Sequence, residues 1–233
     1  MKNLMIPALA LFLSAAAQAD DSPLWMRYCA ISPDGQTIAF SYQGDIYTVP
    51  SSGGKARQLT THPAHDTRPV WSPDGQRIAF ASNRSGNFDV FLMNKEGGEP
   101  KRLTTHSTNE YPTTFKDNGH ILYLANVLQD AKDIQFPGTR FMQVYEISTD
   151  GGRPDLYSSL YMENIALSKD GSKLLYNDYK GYEDPWRKHH QSSITRDIWL
   201  CTLGKDRSFQ KVTTFGGEDR NPVWAADGRL SIT

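Results

Sequence analysis

Trp71-Ser72-Pro73-Asp74-Gly75-Gln76-Arg77-Ile78-Ala79-Phe80 repeats, almost letter for letter, the earlier stretch Ile31-Ser32-Pro33-Asp34-Gly35-Gln36-Thr37-Ile38-Ala39-Phe40. Three weaker copies follow: Phe115-Lys116-Asp117-Asn118-Gly119, Leu167-Ser168-Lys169-Asp170-Gly171 and Trp224-Ala225-Ala226-Asp227-Gly228. The turn glycines stand at 35, 75, 119, 171 and 228, so the period starts at 40 residues and lengthens along the chain. A fixed internal period of this size is the mark of a repeat architecture.

Each copy has a local physical meaning. Proline presets φ, and Asp-Gly or Asn-Gly supplies turn chemistry. Apolar residues then alternate, as Ile78 and Phe80 do against Arg77 and Ala79, which is the period of a strand. A further strand opens at Asp45-Ile46-Tyr47, Asp89-Val90-Phe91, Gln143-Val144-Tyr145 and Asp197-Ile198-Trp199. Gly53-Gly54, Gly97-Gly98 and Gly151-Gly152 turn the chain again, whereas the fourth repeat has Gly204-Lys205. Short segments close the repeats: Gln58–Thr61, Arg102–Thr105, Asp155–Ser158 and Lys211–Thr214. Four antiparallel strands per repeat predict an all-β fold, a β-propeller with four blades plus the start of a fifth. The blades are expected at about 20–66, 67–110, 111–163 and 164–219, with the fifth beginning at 220. A helical repeat is excluded, because no segment keeps a 3.6-residue apolar stripe for three turns. A two-sheet sandwich does not explain near-identical copies of one unit.

The N-terminus reads as a leader. Lys2 is followed by the apolar run Leu4–Ala17, and Ala17-Gln18-Ala19 fits a small-x-small cleavage site. Residues 1–19 are thus expected to be a signal peptide, with export to the periplasm of a bacterial envelope and no membrane insertion after cleavage. The run is short for a bilayer span. Over 233 residues the net charge is −1, which gives no electrostatic case for nucleic acid. Cys29 and Cys201 fall in different repeats and are expected to remain two separate thiols.

Ser72-Pro73-Asp74-Gly75, with the Asp89-Val90-Phe91 strand and Gly97-Gly98 behind it, resembles the propeller repeat of tricorn-like peptidases and of the periplasmic propeller protein of the Tol system. Prolyl-oligopeptidase-type propellers carry related repeats. The longer segments narrow the resemblance. Gly181-Tyr182-Glu183-Asp184-Pro185-Trp186, Gln135-Phe136-Pro137-Gly138 and Gly216-Gly217-Glu218-Asp219-Arg220-Asn221-Pro222 are similar to the N-terminal propeller of bacterial tricorn-like serine peptidases. That resemblance implies a six-bladed parent propeller, followed by a second propeller, a PDZ module and a serine peptidase domain. The family's catalytic residues lie beyond position 233, so none is assigned here, and no cofactor is implied. The implied partners are peptides or unfolded protein segments and the C-terminal domains of the parent chain, and the family admits a homo-oligomer of the parent. A Tol-type scaffold and a propeller gating a prolyl-oligopeptidase-type hydrolase are the competing readings.

Strand direction alternates within a blade, so the loops joining strands two to three and the inter-blade loops share one face. Both long insertions, about 126–142 and 178–196, belong to two-to-three loops. Variable loops on a rigid scaffold concentrate binding. Trp186, Arg187, His189 and His190 are therefore binding candidates, together with His65, His106 and Arg220 from the inter-blade loops. His62 and His65 have no helix to align them, so a metal site is not expected. No H-E-x-x-H, P-loop or G-x-S-x-G motif is present. Asn83-Arg84-Ser85 is a formal glycosylation acceptor. Asp45, Asp89 and Asp197 are expected to tie strand ends to neighbouring backbone amides. Tyr47, Phe91, Tyr145 and Trp199 are expected between blades.

Overall fold

A computed structural model describes residues 25–127, 142–180, 194–225 and 228–231. Among these residues there are eighteen strands and no helix. The first sheet holds β1 (Arg27–Ile31), β2 (Thr37–Tyr42), β3 (Asp45–Pro50) and β4 (Arg57–Gln58). The second holds β5 (Asp66–Trp71), β6 (Arg77–Ser82), β7 (Asp89–Asn94) and β8 (Gly97–Arg102). The third holds β9 (Glu110–Asp117), β10 (His120–Ala125), β11 (Gln143–Ser148) and β12 (Asp155–Ser158). The fourth holds β13 (Met162–Leu167), β14 (Lys173–Asp178), β15 (Ile198–Thr202) and β16 (Ser208–Lys211). A two-stranded fifth sheet pairs β17 (Val223–Trp224) with β18 (Leu230–Ser231). Every pairing is antiparallel between chain neighbours. The first strands pack on one another in succession, β1 on β5, β5 on β9 and β9 on β13, so they gather round an axis. This is the blade arrangement of a propeller.

The hydrophobic core is divided among the blade interfaces. Ile46 and Leu59 of the first blade meet Ile78, Phe80 and Met93 of the second. Val90 and Leu103 meet Phe115, Ile121 and Tyr123 of the third, and Leu124 and Val144 meet Ile165 and Leu174 of the fourth. Alternation explains how one strand serves two interfaces: in β6, Ile78 and Phe80 face backward and Ala79 forward. Indoles add polar pins. Trp71 Nε1 donates to Ala30 O and Trp224 Nε1 to Ala166 O, each at 3.0 Å across a blade boundary.

The repeated turn is a hydrogen-bonded device. Ser32, Ser72 and Ser168 Oγ each donate to the Asp two residues on, at 2.5, 2.6 and 2.6 Å. The same hydroxyls accept from the amides of Thr37, Arg77 and Lys173, at 2.9 Å in each case. The serine hydrogen bond holds Asp34 and Asp74 below the usual carboxylate range and brings Asp170 to about 2. Gly97 shows why one glycine is required. Its φ is 83°, and a Cβ there would stand 3.1 Å from Leu59 O of the preceding blade.

Two expectations are corrected. The strand-start aspartates bind side chains instead of backbone amides. Asp45 accepts from Thr60 Oγ1 at 3.0 Å and from Gln58 Nε2 at 2.9 Å. Asp197 pairs with Lys180 at 2.5 Å and Lys211 at 2.9 Å. The amides are served by threonines: Ile46, Val90 and Ile198 N–H donate to Thr60, Thr104 and Thr213 Oγ1 at 3.0, 2.9 and 3.1 Å. A hydroxyl can accept from the amide while donating elsewhere, which a carboxylate cannot. These threonines lie past the ends of their strands, so the closing strands end earlier than the sequence pattern predicts, at Gln58, Arg102 and Lys211. Of the four aromatics expected between blades, Phe91 is buried in the first interface, and Tyr145 and Trp199, half-buried, pack against the second and third as expected. Tyr47 is half-buried and is not part of the first interface's apolar cluster. Tyr47 and Tyr145 stack within their own blades on Phe40 and Tyr123, with centroids 5.7 Å apart in both pairs.

Candidate functional site

Among the described residues, two-to-three loops and inter-blade loops meet on one face. Asp66 N–H donates to Gly44 O and Glu110 N–H to Phe88 O, both at 2.7 Å. Asp219 N–H donates to Arg196 O at 3.0 Å. These bonds stitch the approach to three of the inner strands to the loop of the blade before, and a cavity of about 660 Å³ lies beside them at the mouth of the axis. Trp25, Tyr42, Phe88 and Tyr111 give it aromatic walls, Arg27 and Arg68 its cations, and His65 an imidazole. No carboxylate lines it among the described residues. A second cavity of about 630 Å³ runs along the inner strands from Tyr28 to Val223. The two share Tyr28, Arg68 and Tyr111.

The axial cavity is lined by a recurring backbone feature. Tyr28, Arg68, Asn164 and Asn221 have φ of 53°, 54°, 49° and 52°. Each occupies the same place, three residues before the inner strand's Ile31, Trp71, Leu167 or Trp224. In β1, β5 and β13 this place falls inside a β-bulge. A bulge re-aims side chains, and left-handed non-glycine residues cluster where the surrounding structure holds them for use. In the third blade the place belongs to Pro112, whose ring bars positive φ. All five residues line the axial cavity. Asn164 is positioned by Asn177: its Nδ2 donates to Asn177 Oδ1 at 3.1 Å, and Asn221 N–H donates to the same oxygen at 3.1 Å.

Two arginines near the axis are already paired. Arg196 bridges Glu163 at 3.1 Å and Glu218 at 2.7 Å, and Arg220 takes Glu218 at 2.6 Å. Burial pushes the Glu218 carboxyl up, but the two arginines outweigh it and hold it below its ordinary value. Arg68 differs. Its Cζ lies 4.4 Å from the Tyr111 ring centroid and 5.0 Å from that of Tyr28, and no carboxylate pairs with it among the described residues.

The candidates read from the sequence fall into different places. His65 lines the mouth, with its ring edge-on to Phe88 at 5.9 Å. Arg220 lines the axial cavity. His106 faces neither cavity; its Nδ1 accepts from Thr108 N–H at 3.2 Å and folds the loop on itself. His62 does likewise with Ala64 N–H at 3.0 Å. Trp186, Arg187, His189 and His190 lie outside the described residues. Asp66 and Glu110, which follow these inter-blade loops at the start of β5 and β9, are buried. The residues that sequence reasoning missed are Tyr28, Arg68 and Tyr111. The available signal was Arg68 itself, a guanidinium in an otherwise uncharged stretch, Thr67–Trp71.

The tricorn protease N-terminal beta propeller domain family matches residues 23–230. The chain belongs to that family. Tricorn protease homolog 1 of Streptomyces coelicolor is 34% identical over 71 residues, covering 30% of this chain and 6% of that protein. A TolB homolog of Chlorobium luteolum is 41% identical over 56 residues, covering 24% of this chain and 13% of that one. The crystal structure of the tricorn protease superposes on 89% of this chain and 21% of its own, with a TM-score of 0.65 and 20% identity. This last likeness concerns the fold. The chain thus spans a small fraction of its relatives' length, and the tricorn propeller is one part of a much larger protease chain.

Proposed function

We propose that this chain is the non-catalytic N-terminal propeller of an exported tricorn-like serine peptidase, taking up extended peptide or unfolded protein segments at its loop face. Residues 1–19 act as the signal peptide that delivers it to the periplasm, and the loop face also docks to the catalytic part of the parent. The observation that carries the reading is the continuity of the two cavities through Tyr28, Arg68 and Tyr111. Aromatic walls offer sequence-tolerant apolar contact, and the Asn164 and Asn221 amides below offer hydrogen bonds to a peptide backbone. A cleft open at the mouth and along the axis suits a chain better than a compact ligand. The domain's place in a larger protease chain supplies the substrate class.

The test is binding of fluorescein-labelled extended peptides by anisotropy, with and without a bulky block at the mouth. Thr67 lines the mouth and is itself buried, so Gln43, at its rim and exposed, is the better position. Gln43→Trp should weaken binding of every peptide while leaving far-ultraviolet circular dichroism unchanged. Equal affinity with the mouth blocked would remove the loop face from peptide uptake.

A further inference from the structure

We propose that Arg68 is a carboxylate-reading subsite: it selects, from segments entering the mouth, those that carry an acidic side chain. The inference rests on the peptide-uptake reading above and deepens it. Three independent observations converge on this residue. It stands at the junction of both cavities. Its backbone is left-handed, at φ 54°, and its own N–H is tied to Ser41 Oγ at 3.2 Å, so the residue is held in place at its root. Its guanidinium lies between Tyr28 and Tyr111, and its side chain donates no hydrogen bond among the described residues.

That combination sets it apart from the other arginines near the axis. A cation held against ring faces gains from their quadrupoles. It uses none of its five N–H donors in doing so. The stacking takes the place of the rotamer freedom that a flexible arginine would lose on binding, and it leaves the donors available. A partly desolvated guanidinium with free donors favours a planar anion that accepts two parallel N–H bonds, which is a carboxylate. The setting agrees: Arg27, over the Trp25 ring at 5.6 Å, adds to the basic character of a mouth that no carboxylate lines among the described residues. Because Arg68 lines both cavities, a side chain presented along an extended segment that spans them reaches it. A chain terminus would be required only at a closed pocket.

The probe is a set of eight-residue peptides, acetylated at the N-terminus and amidated at the C-terminus, identical except for Glu or Gln at one central position. The wild-type protein should bind the Glu peptide about tenfold tighter than the Gln peptide, with the advantage shrinking in high salt. Arg68→Met keeps an unbranched stem between the two tyrosines and should reduce the Glu advantage to less than about twofold, with the Gln peptide bound as before. Arg68→Lys keeps the charge without the fork and should fall between. If Arg68→Met does not fold, the wild-type Glu-to-Gln ratio and the Arg68→Lys variant still decide. Equal binding of Glu and Gln peptides by the wild type overturns the subsite while leaving peptide uptake standing. A preference that survives Arg68→Met moves the subsite elsewhere. Preference for a free C-terminus over the amidated peptide, with no effect of Glu, rejects the side-chain assignment. Failure of every peptide to bind removes the uptake reading, and this one with it.

Discussion

Arg84 Nη2 holds both carboxylate oxygens of Asp66, at 3.0 and 2.8 Å, and Asp66 has no exposed surface at all. The guanidinium also lies 4.8 Å from the Phe91 ring centroid and 5.7 Å from that of Phe80, and its Nε donates to Ser82 Oγ at 2.9 Å. The formal glycosylation triplet around Asn83 is therefore a structural clamp. Asn83 Oδ1 accepts from His65 N–H at 2.8 Å, and Arg84 fixes the inner strand that starts at Asp66.

Removing the guanidinium strands a buried charge. Arg84→Met preserves the apolar stem over Phe80 and Phe91 but leaves Asp66 without a counter-ion. The expected loss is about 3–5 kcal/mol in urea unfolding. Adding Asp66→Asn should restore much of it, because a neutral amide tolerates burial better than a bare carboxylate. If the double variant is no more stable than Arg84→Met alone, the ion pair is not the source of the loss.

The third blade places a different group at the equivalent position. Glu110 opens β9 as Asp66 opens β5, yet no cation pairs with it among the described residues, and its Oε2 is buried without a hydrogen-bond partner. Burial pushes its carboxyl from 4.5 up to about 7; the Thr104 hydroxyl opposes this, and the nearby Asp89 charge reinforces it. Asp89 is also raised by burial, against the pull of Arg102, whose Nη2 stands 2.8 Å away but off the line of a hydrogen bond. The folded state thus holds the Glu110 proton more tightly than the unfolded chain. The stabilising contribution is complete below about pH 4.5 and is lost as pH rises to about 7. Glu110→Gln does not titrate. Its stability relative to wild type should rise across that window, by about 1–3 kcal/mol at pH 8. Subtracting the two profiles cancels the other carboxylates. Parallel profiles would show that Glu110 is charged in the folded protein throughout.

The blades were legible because their signal is local. Ser-Pro-Asp-Gly carries its own hydrogen bonds, from Ser72 to Asp74 and back to the Arg77 amide, within six residues. The cavities were not. Tyr28, Arg68 and Tyr111 lie some forty residues apart and meet only because inner strands gather at an axis. The left-handed positions share no residue type, being Tyr, Arg, Asn and Asn; they share only a backbone conformation set by each bulge. His65 was legible as a polar residue in an inter-blade loop, whereas the burial of Asp66 beside it depends on Arg84 arriving from the next loop.

The two cysteines should differ in reactivity. Cys29 is exposed on the first inner strand, where it lines the axial cavity, and Cys201 is buried on β15 with no disulfide between them. Burial also pushes the Cys201 thiol up, which lowers its thiolate fraction. A thiol reagent under native conditions should modify one cysteine quickly, and peptide mapping should place it at Cys29. Cys201 should react only after denaturation. Rapid labelling of both would mean that the third interface, where Cys201 packs with Tyr176 and Leu174, opens readily.

Propeller blades cover one another, and residues 20–233 taken alone would leave two blade flanks bare. At the place where Trp71 pins the second blade to the first, the first blade carries Ile31, and that side chain is 60% exposed. At the other end, Phe215 and Val223 are 64% and 51% exposed beside a sheet that has two strands among the described residues. Each flank combines apolar side chains with strand edges, and that combination drives self-association. The 20–233 segment, expressed by itself, should therefore elute as oligomers or aggregates in light-scattering chromatography. Ile31→Lys together with Phe215→Lys should shift it towards monomer, because charges at a bare flank oppose edge-to-edge pairing. A monodisperse monomer of the unmodified segment, unfolding cooperatively, would show that the flanks are covered from within the chain.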